Sequence, residues 1–351
     1  MNGEYLKIIS LPLQEWPDDD RYKWSAAQKP GKHFLKGGAA SKWRASTITN
    51  VEYGWGIYLA WLNQGGKLLA GTSLHARITE QLLSAFVCDY VPGRSEFSVA
   101  GQVSRLGFFI KACLPDHDFG WLSHFGYFMM GNARPQKVKL EKLQPAQDLL
   151  CLGKKLMASA KQLMKLKHRG PLRQYRNGLM IATLAAKPLR LGEFAAMKVG
   201  TNFVRSDKIW ILTLAADKVK TNKQKTWYFP PFLTEAFDFY FATVRMKILE
   251  GTAHLAEDSV WVGSQGVLVN SSIHNIVVAE TAKEFGIAVN PHLFRDCAAT
   301  TIAIEAPHLV GITKSVLTHD SLVTSQKYYN QAQSIEASKK LNATIDKLCD
   351  V

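Results

Sequence analysis

Two arginines, two histidines and a tyrosine stand in a fixed order along the second half of this chain. Arg190 lies in KPLRLGEF (187–194), His292 and Arg295 in PHLFRDCAATT (291–301), and His319 and Tyr328 in LTHDSLVTSQKYYN (317–330). Together these residue types suit one chemistry: gripping a phosphodiester and attacking it without a metal. A guanidinium carries a permanent charge on a planar fork of donors that matches phosphate oxygens. A phenol, with a pKa of about 10, attacks phosphorus once a base or the field of the arginines helps it ionise. Imidazole is the natural group to take that proton.

Taken singly, each motif has an ordinary explanation. His292 and Arg295 are three residues apart, which sets both on one face of a helix, where they could be two solvated polar groups. One His-x-x-Arg in a chain of this content is close to a chance match. Arg190 and Glu193 have the spacing of a helix-surface ion pair. Tyr328 suits a packed aromatic, and His319 a helix cap. Their joint order is what calls for a chemical reading.

These residues need a scaffold, and the pattern along the chain supplies one that is mainly helical with a small β-sheet. Residues 1–41 read as an N-terminal arm, with Pro12, Pro17 and Pro30, an acidic knot at Asp18–Asp20 and a glycine-rich basic stretch. Apolar residues at helical spacing, such as Ile78, Leu82, Leu83, Phe86 and Val87, predict a compact helical domain over 42–132. The polar, basic stretch to 147, bracketed by Pro135 and Pro145, reads as an interdomain linker over 133–147. A second domain follows over 148–334. It opens on a helix with an apolar face and a lysine-rich one, and Pro171 restarts a helix carrying Leu179, Met180 and Leu184. KIWILTLA (208–215) and TWYF (226–229) have strand character, and the lysine-rich ADKVKTNKQK between them makes a β-hairpin. A further short strand is expected at 260–263. The last segment, 335–351, is an amphipathic helix with Ala337, Leu341, Ile345 and Leu348 on one face.

Composition bounds the partners. A chain of 351 residues is long for one average domain, and 47% hydrophobic residues suffice for buried cores. A formal net charge of +14 favours a polyanionic partner, most often nucleic acid. The lysines and arginines cluster. Lys154, Lys155, Lys161, Lys165, Lys167 and Arg169 fall on or just after one helix, where they would bind backbone phosphates in a salt-dependent way. Five cysteines, none in a CxxC pair, suggest neither a disulfide framework nor a zinc site. A reducing interior fits best. No signal peptide is evident and no apolar run is long enough to cross a bilayer, so a cytoplasmic, membrane-free protein is expected, nucleoid-associated in a bacterium. Glycine-rich phosphate loops, HExxH and paired acid/base carboxylates are absent, so neither ATP nor metal hydrolysis is expected, and no cofactor.

PHLFR, then LTH, then TSQKY with its tyrosine nine residues past the histidine, resembles the signature of the tyrosine recombinase (phage integrase) family. In that family an arginine in an LRxSE-like box, here LRLGE with Arg190, precedes a lysine on a β-hairpin, an HxxR and an LGHxxxxTTxxY. The resemblance in motif covers roughly 183–330. The helical layout of 42–132 is similar to the family's core-binding domain in architecture, and residues 1–40 match no part of it. Three positions depart from the pattern: Thr318 replaces the usual glycine before the histidine, Asp296 follows Arg295 where histidine is frequent, and Gly192 stands where serine is common.

The resemblance implies a site-specific DNA strand transferase. Arg190, Arg295 and His319 would hold the non-bridging oxygens over which charge spreads during transfer. Preorganised donors of this kind are worth on the order of 10²–10³ in rate each. Tyr328 would be the nucleophile, with adjacent Tyr329 the alternative, and His292 the proton carrier. A hairpin lysine would protonate the departing 5′ oxygen. DKVKT resembles the family's lysine–threonine turn and selects Lys220, with Lys218 and Lys223 as alternatives that otherwise touch the DNA backbone. Glu193 would hold its helix or orient an arginine. The expected partner is double-stranded DNA with specific recombination sites, bound by a homo-tetramer that associates more weakly when free, with accessory DNA-bending or directionality factors. The terminal helix would dock on a neighbouring protomer or pack on its own domain. A topoisomerase-like relaxer with the same chemistry, a catalytically inactive DNA-binding relative and an RNA-binding helical protein are the rival readings.

Overall fold

The computed structural model describes residues 8–306, except 33, 35, 135–139, 165–169, 217–218, 220–223, 251, 253, 255 and 257, together with Thr344. The chain divides into two compact units, Met1–Val138 and Lys139–Val351.

The first unit is all helix: α1 (Asp18–Gln28), α2 (Ala45–Gln64), α3 (Glu80–Tyr90), α4 (Glu96–Cys113) and α5 (Gly120–Asn132). Helices α3 and α4 start on side-chain caps. Thr79 Oγ1 accepts the Leu82 N–H at 3.2 Å and Ser95 Oγ accepts the Ser98 N–H at 3.2 Å. The core is aromatic. Trp55 stacks on Phe109 at 4.3 Å between centroids, with Trp24 and Trp16 on the same ring at 5.2 and 5.6 Å.

Those contacts correct the reading of residues 1–41 as an arm. Trp16 and Trp24 are 3% and 1% exposed, and the Leu11 N–H bonds the Gly56 carbonyl at 3.0 Å. A side-chain Cβ at Gly56 would collide with Leu11, so only glycine admits this approach. The acidic knot Asp18–Asp20 is the first turn of α1, where carboxylates complement the helix dipole. Asp20 then goes inside. It pairs with buried Arg77 and accepts the Trp55 indole N–H at 2.9 Å, while Asp19 accepts the Leu74 N–H at 2.7 Å. Prolines and charge suggested an arm, but two tryptophans supply enough apolar surface to fold it in.

The second unit opens on α6 (Ala146–Leu163) and α7 (Gly170–Ala186). These two helices touch backbone to backbone where glycine faces glycine. A Cβ on Gly153 would lie 2.7 Å from the Gly178 carbonyl oxygen and 2.6 Å from the Ala182 nitrogen, and one on Gly178 would lie 2.7 Å from the Gly153 oxygen. After α8 (Leu191–Ala195) come β1 (Phe203–Ser206), β2 (Ile209–Leu214) and β3 (Lys225–Tyr228), an antiparallel sheet in that order. Its register sets Phe203 opposite Leu212 and Leu212 opposite Trp227. The expected hairpin is β2–β3; β1 was not foreseen. Along β2 the buried residues alternate as Trp210, Leu212 and Leu214, the period of a sheet with one covered face. Phe203 stacks on Trp210 at 4.7 Å and meets Phe237 at 4.9 Å.

Helix α9 (Thr234–Phe239) runs through a π-helical stretch, Tyr240–Arg245, into α10 (Met246–Ile248). The strand expected at 260–263 is the short hairpin β4 (Val262–Gly263) and β5 (Gly266–Val267). Then α11 (Asn270–Phe285) closes on Gly286, whose φ of 69° gives the left-handed cap. Helix α12 (Leu293–Glu305) packs against α6 and α7. The end of the expected linker belongs to this unit: the Gln144 N–H reaches Cys297 Sγ at 3.3 Å, and the Ala146 N–H reaches Thr301 Oγ1 at 2.9 Å.

Candidate active site

Helix α7 delivers the chain to Arg190 through a tight turn. The Lys187 N–H bonds the Thr183 carbonyl at 2.8 Å, finishing the helix, and the Leu189 N–H bonds the Lys187 carbonyl at 2.7 Å. That i to i+2 bond makes a three-residue turn centred on Pro188, whose ring fixes the φ such a turn needs. Arg190 follows in extended conformation at the N-cap of α8. Glu193, only 4% exposed, accepts the Arg190 backbone N–H at 3.1 Å and the Arg190 guanidinium at 3.2 Å. One carboxylate thus caps the helix and aims the arginine. Trp261 anchors α8 from below, stacking on Phe194 at 4.6 Å and donating its indole N–H to the Phe194 carbonyl at 3.0 Å.

The HxxR pair divides between outside and inside. The Asn290 side-chain oxygen accepts the N–H groups of His292 and Leu293 at 3.0 and 3.1 Å and so starts α12. His292 precedes the helix and is exposed. Arg295 is 4% exposed, which excludes two solvated groups on a surface helix. The reason is that α12 is buried continuously from Leu293 to Thr300. Arg295 Nη1 donates to the Pro188 carbonyl oxygen at 2.7 Å. The second arginine is therefore tied to the turn that presents the first. Asp296, beside it, is also buried.

Lys187 completes the charged residues of this turn. It is half-buried, and burial away from water holds its pKa below the ordinary lysine value. The structure thus brings Arg190 and Arg295 to one turn, with His292 at the head of the same helix as Arg295. Lys220, His319, Tyr328, Tyr329, Lys218, Lys223, Lys165, Lys167 and Arg169 lie outside the described residues, as does 335–351 apart from Thr344.

The described lysines of α6 have neighbours in their own unit. Lys154 Nζ sits 5.0 Å from the Phe232 ring centre, and Lys161 Nζ 4.7 Å from that of Phe239. Lys155 reaches Glu284 at 2.7 Å, both near the surface. All three lysines are exposed, so these contacts position the charges without removing them from water.

Two positioning residues escaped the sequence reading. Pro188 supplies the carbonyl that holds Arg295, and its signal was the KP step just before the arginine. Asn290 starts α12, and its signal was a capping residue two places before the histidine.

No family model matches the sequence, and no curated protein does either. Solved structures do match. The XerH site-specific recombinase, in a post-cleavage complex bound to a palindromic difH substrate, is 15% identical with a TM-score of 0.56, over 94% of this chain and 98% of that one. A lambda integrase fragment (75–356), a dimer bound to a COC′ core site, is 13% identical with a TM-score of 0.48, over 83% and 90%. The likeness to XerH covers nearly the whole of both chains, and at that identity it gives the fold: that of the tyrosine recombinases, mainly helical with a small sheet. No helix among the described residues is long and apolar enough to cross a membrane.

Proposed function

We propose that this chain is a site-specific DNA recombinase or integrase that cuts and rejoins DNA through a tyrosyl adduct. One observation carries the reading: Arg295 donates to the carbonyl of Pro188, two residues before Arg190, so two guanidiniums from distant parts of the sequence share one turn. Two permanently charged forks held together suit a phosphodiester at which charge develops. The recombinase fold and the net charge of +14 support the same reading.

In this mechanism Arg190, Arg295 and His319 hold the non-bridging oxygens of the scissile phosphate. Tyr328 attacks phosphorus while His292 takes its proton. The bond to the 5′ oxygen breaks, and Lys220 protonates that oxygen as it leaves. The products are a 3′-phosphotyrosyl link and a free 5′-hydroxyl. Because the adduct keeps the bond energy, the hydroxyl of a partner strand reverses the step without ATP. Exchange between two duplexes needs four such sites, hence a homo-tetramer on DNA. The lysines of α6, with Lys165, Lys167, Arg169, Lys218 and Lys223, would bind the backbone phosphates.

The test is to incubate the full chain with nicked random-sequence duplexes, from which a cleaved end fragment diffuses away, and to trap covalent protein–DNA with detergent. The expected result is an adduct enriched in particular sequences, lost in Tyr328→Phe and retained in Tyr329→Phe. An adduct that survives Tyr328→Phe and vanishes with Tyr329→Phe reassigns the nucleophile. Plasmid relaxation without sequence enrichment favours a topoisomerase-like relaxer, and DNA binding with no adduct favours an inactive relative.

A further inference from the structure

We propose that Lys187 is a further catalytic residue, a third cation that contacts the scissile phosphate beside Arg190 and Arg295. The inference rests on the strand-transfer reading above.

Position is the first argument. Lys187, Pro188, Leu189 and Arg190 are consecutive, and the hydrogen bond from the Leu189 N–H to the Lys187 carbonyl folds them into one tight turn. Arg295 reaches the same turn at Pro188, 2.7 Å from its carbonyl oxygen. Lys187 is therefore the residue adjoining the point where the two arginines are tied together.

The second argument is the lack of an internal partner. Among the described residues, Lys187 makes no ion pair and no side-chain hydrogen bond, although it is half-buried. An ammonium partly withdrawn from water without a carboxylate is disfavoured, and that partial burial holds its pKa low. The acids nearest in sequence are otherwise engaged: Glu193 holds Arg190, and buried Asp296 follows Arg295 in α12. The C-terminal dipole of α7 favours a cation at this position, which accounts for the sign of the charge. It does not account for the burial. An anionic ligand at the turn would supply the missing counter-charge, and the phosphodiester is the anion this site is built around.

The experiment uses single-turnover cleavage by the full chain on the duplexes enriched above, with ordinary DNA and with DNA whose scissile 5′ bridging oxygen is sulfur. A sulfur leaving group departs without a proton, so it separates a phosphate contact from a proton donor. Lys187→Ala and Lys187→Met are expected to slow adduct formation by roughly 10²-fold on both substrates. Lys187→Arg should retain most of the rate, and DNA affinity should change less than twofold. Lys187→Met keeps the apolar stem, so it guards against a folding defect, and thermal melting checks each variant.

A wild-type rate in Lys187→Ala overturns the proposal, as does a loss that follows melting temperature alone. Rescue on the sulfur substrate overturns it too, because the lysine would then be a proton donor. If wild-type protein forms no adduct, the strand-transfer reading fails first and Lys187 falls with it. A wild-type adduct with an unaffected Lys187→Ala refutes Lys187 alone.

Discussion

Arg77 in the first unit and Arg295 in the second are equally buried, at 3% and 4% exposure, yet they are provided for differently. Arg77 pairs with the buried carboxylate of Asp20 and bonds the Thr72 carbonyl, and Asp20 is itself held by the Trp55 indole. Charge meets charge within the unit. Arg295 gives one of its N–H groups to the carbonyl of Pro188, a contact that fixes its direction. A buried arginine is thus not a site by virtue of burial. Arg77 is held by a carboxylate of its own unit, and Arg295 is directed by a backbone carbonyl two residues before Arg190.

The largest expected effect breaks this comparison on the side of rate. Arg295→Lys loses the planar fork and should lower adduct formation on the order of 10²–10³-fold. Arg77→Ala should leave the rate per folded molecule within about twofold, read after correcting for the active fraction. A comparable loss in both variants would mean that Arg77 serves the reaction too.

On stability the order reverses. Arg77→Ala strands a buried carboxylate and should cost about 3 kcal/mol in urea unfolding of the first unit. Replacing both partners with apolar residues of similar size, as in Asp20→Leu with Arg77→Met, should recover most of that. A double variant as unstable as the single one would show that the pair stabilises the fold outright.

Acidity sharpens the same point. Burial, the largest influence on Asp20, pushes its pKa up to about 6 against the opposing pull of Arg77. Between roughly pH 4 and 6 the folded chain therefore holds a proton that the unfolded chain has released. Stability of the first unit should fall as pH rises through that window and level off above it. Melting temperatures across pH 4–7 check this, and Asp20→Asn should remove the slope.

The smallest effects belong to the α6 lysines. Lys161→Ala should cost about 0.5–1 kcal/mol through its lost contact with Phe239. If Lys161 also meets a DNA phosphate, the slope of log affinity against log salt should flatten by about 0.9. An unchanged slope would leave Lys161 a packing role alone.

Much of the fold is legible in the sequence. Helical periodicity located α2 to α7, and alternation with a lysine-rich turn located the β2–β3 hairpin. The order of Arg190, His292 and Arg295 marked the candidate site, and the Arg295–Pro188 contact brings two of the three to one turn. What could not be read is what depends on long-range packing. Pro12, Pro17 and Asp18–Asp20 carry the composition of an arm, and only a core already assembled around Phe109 explains why Trp16 and Trp24 fold back onto it. A four-residue strand such as β1 shows its role only once it pairs with β2. The spacing of HxxR could not tell an exposed histidine from a buried arginine, because that depends on Asn290 starting the helix one residue later.

The glycine contact between α6 and α7 has a reach beyond its own packing. From Gly178 to Lys187 the chain climbs about 1.5 Å per residue, or roughly 13 Å, before it turns to present Arg190. The crossing is thus a fulcrum and the rest of α7 a lever arm, with the proposed phosphate site at its tip. One methyl added at Gly153 or Gly178 meets opposing backbone, which has little room to give. Such a substitution would leave every charge and donor of the proposed site in place and swing its aim, detuning the proposed reaction from a distance.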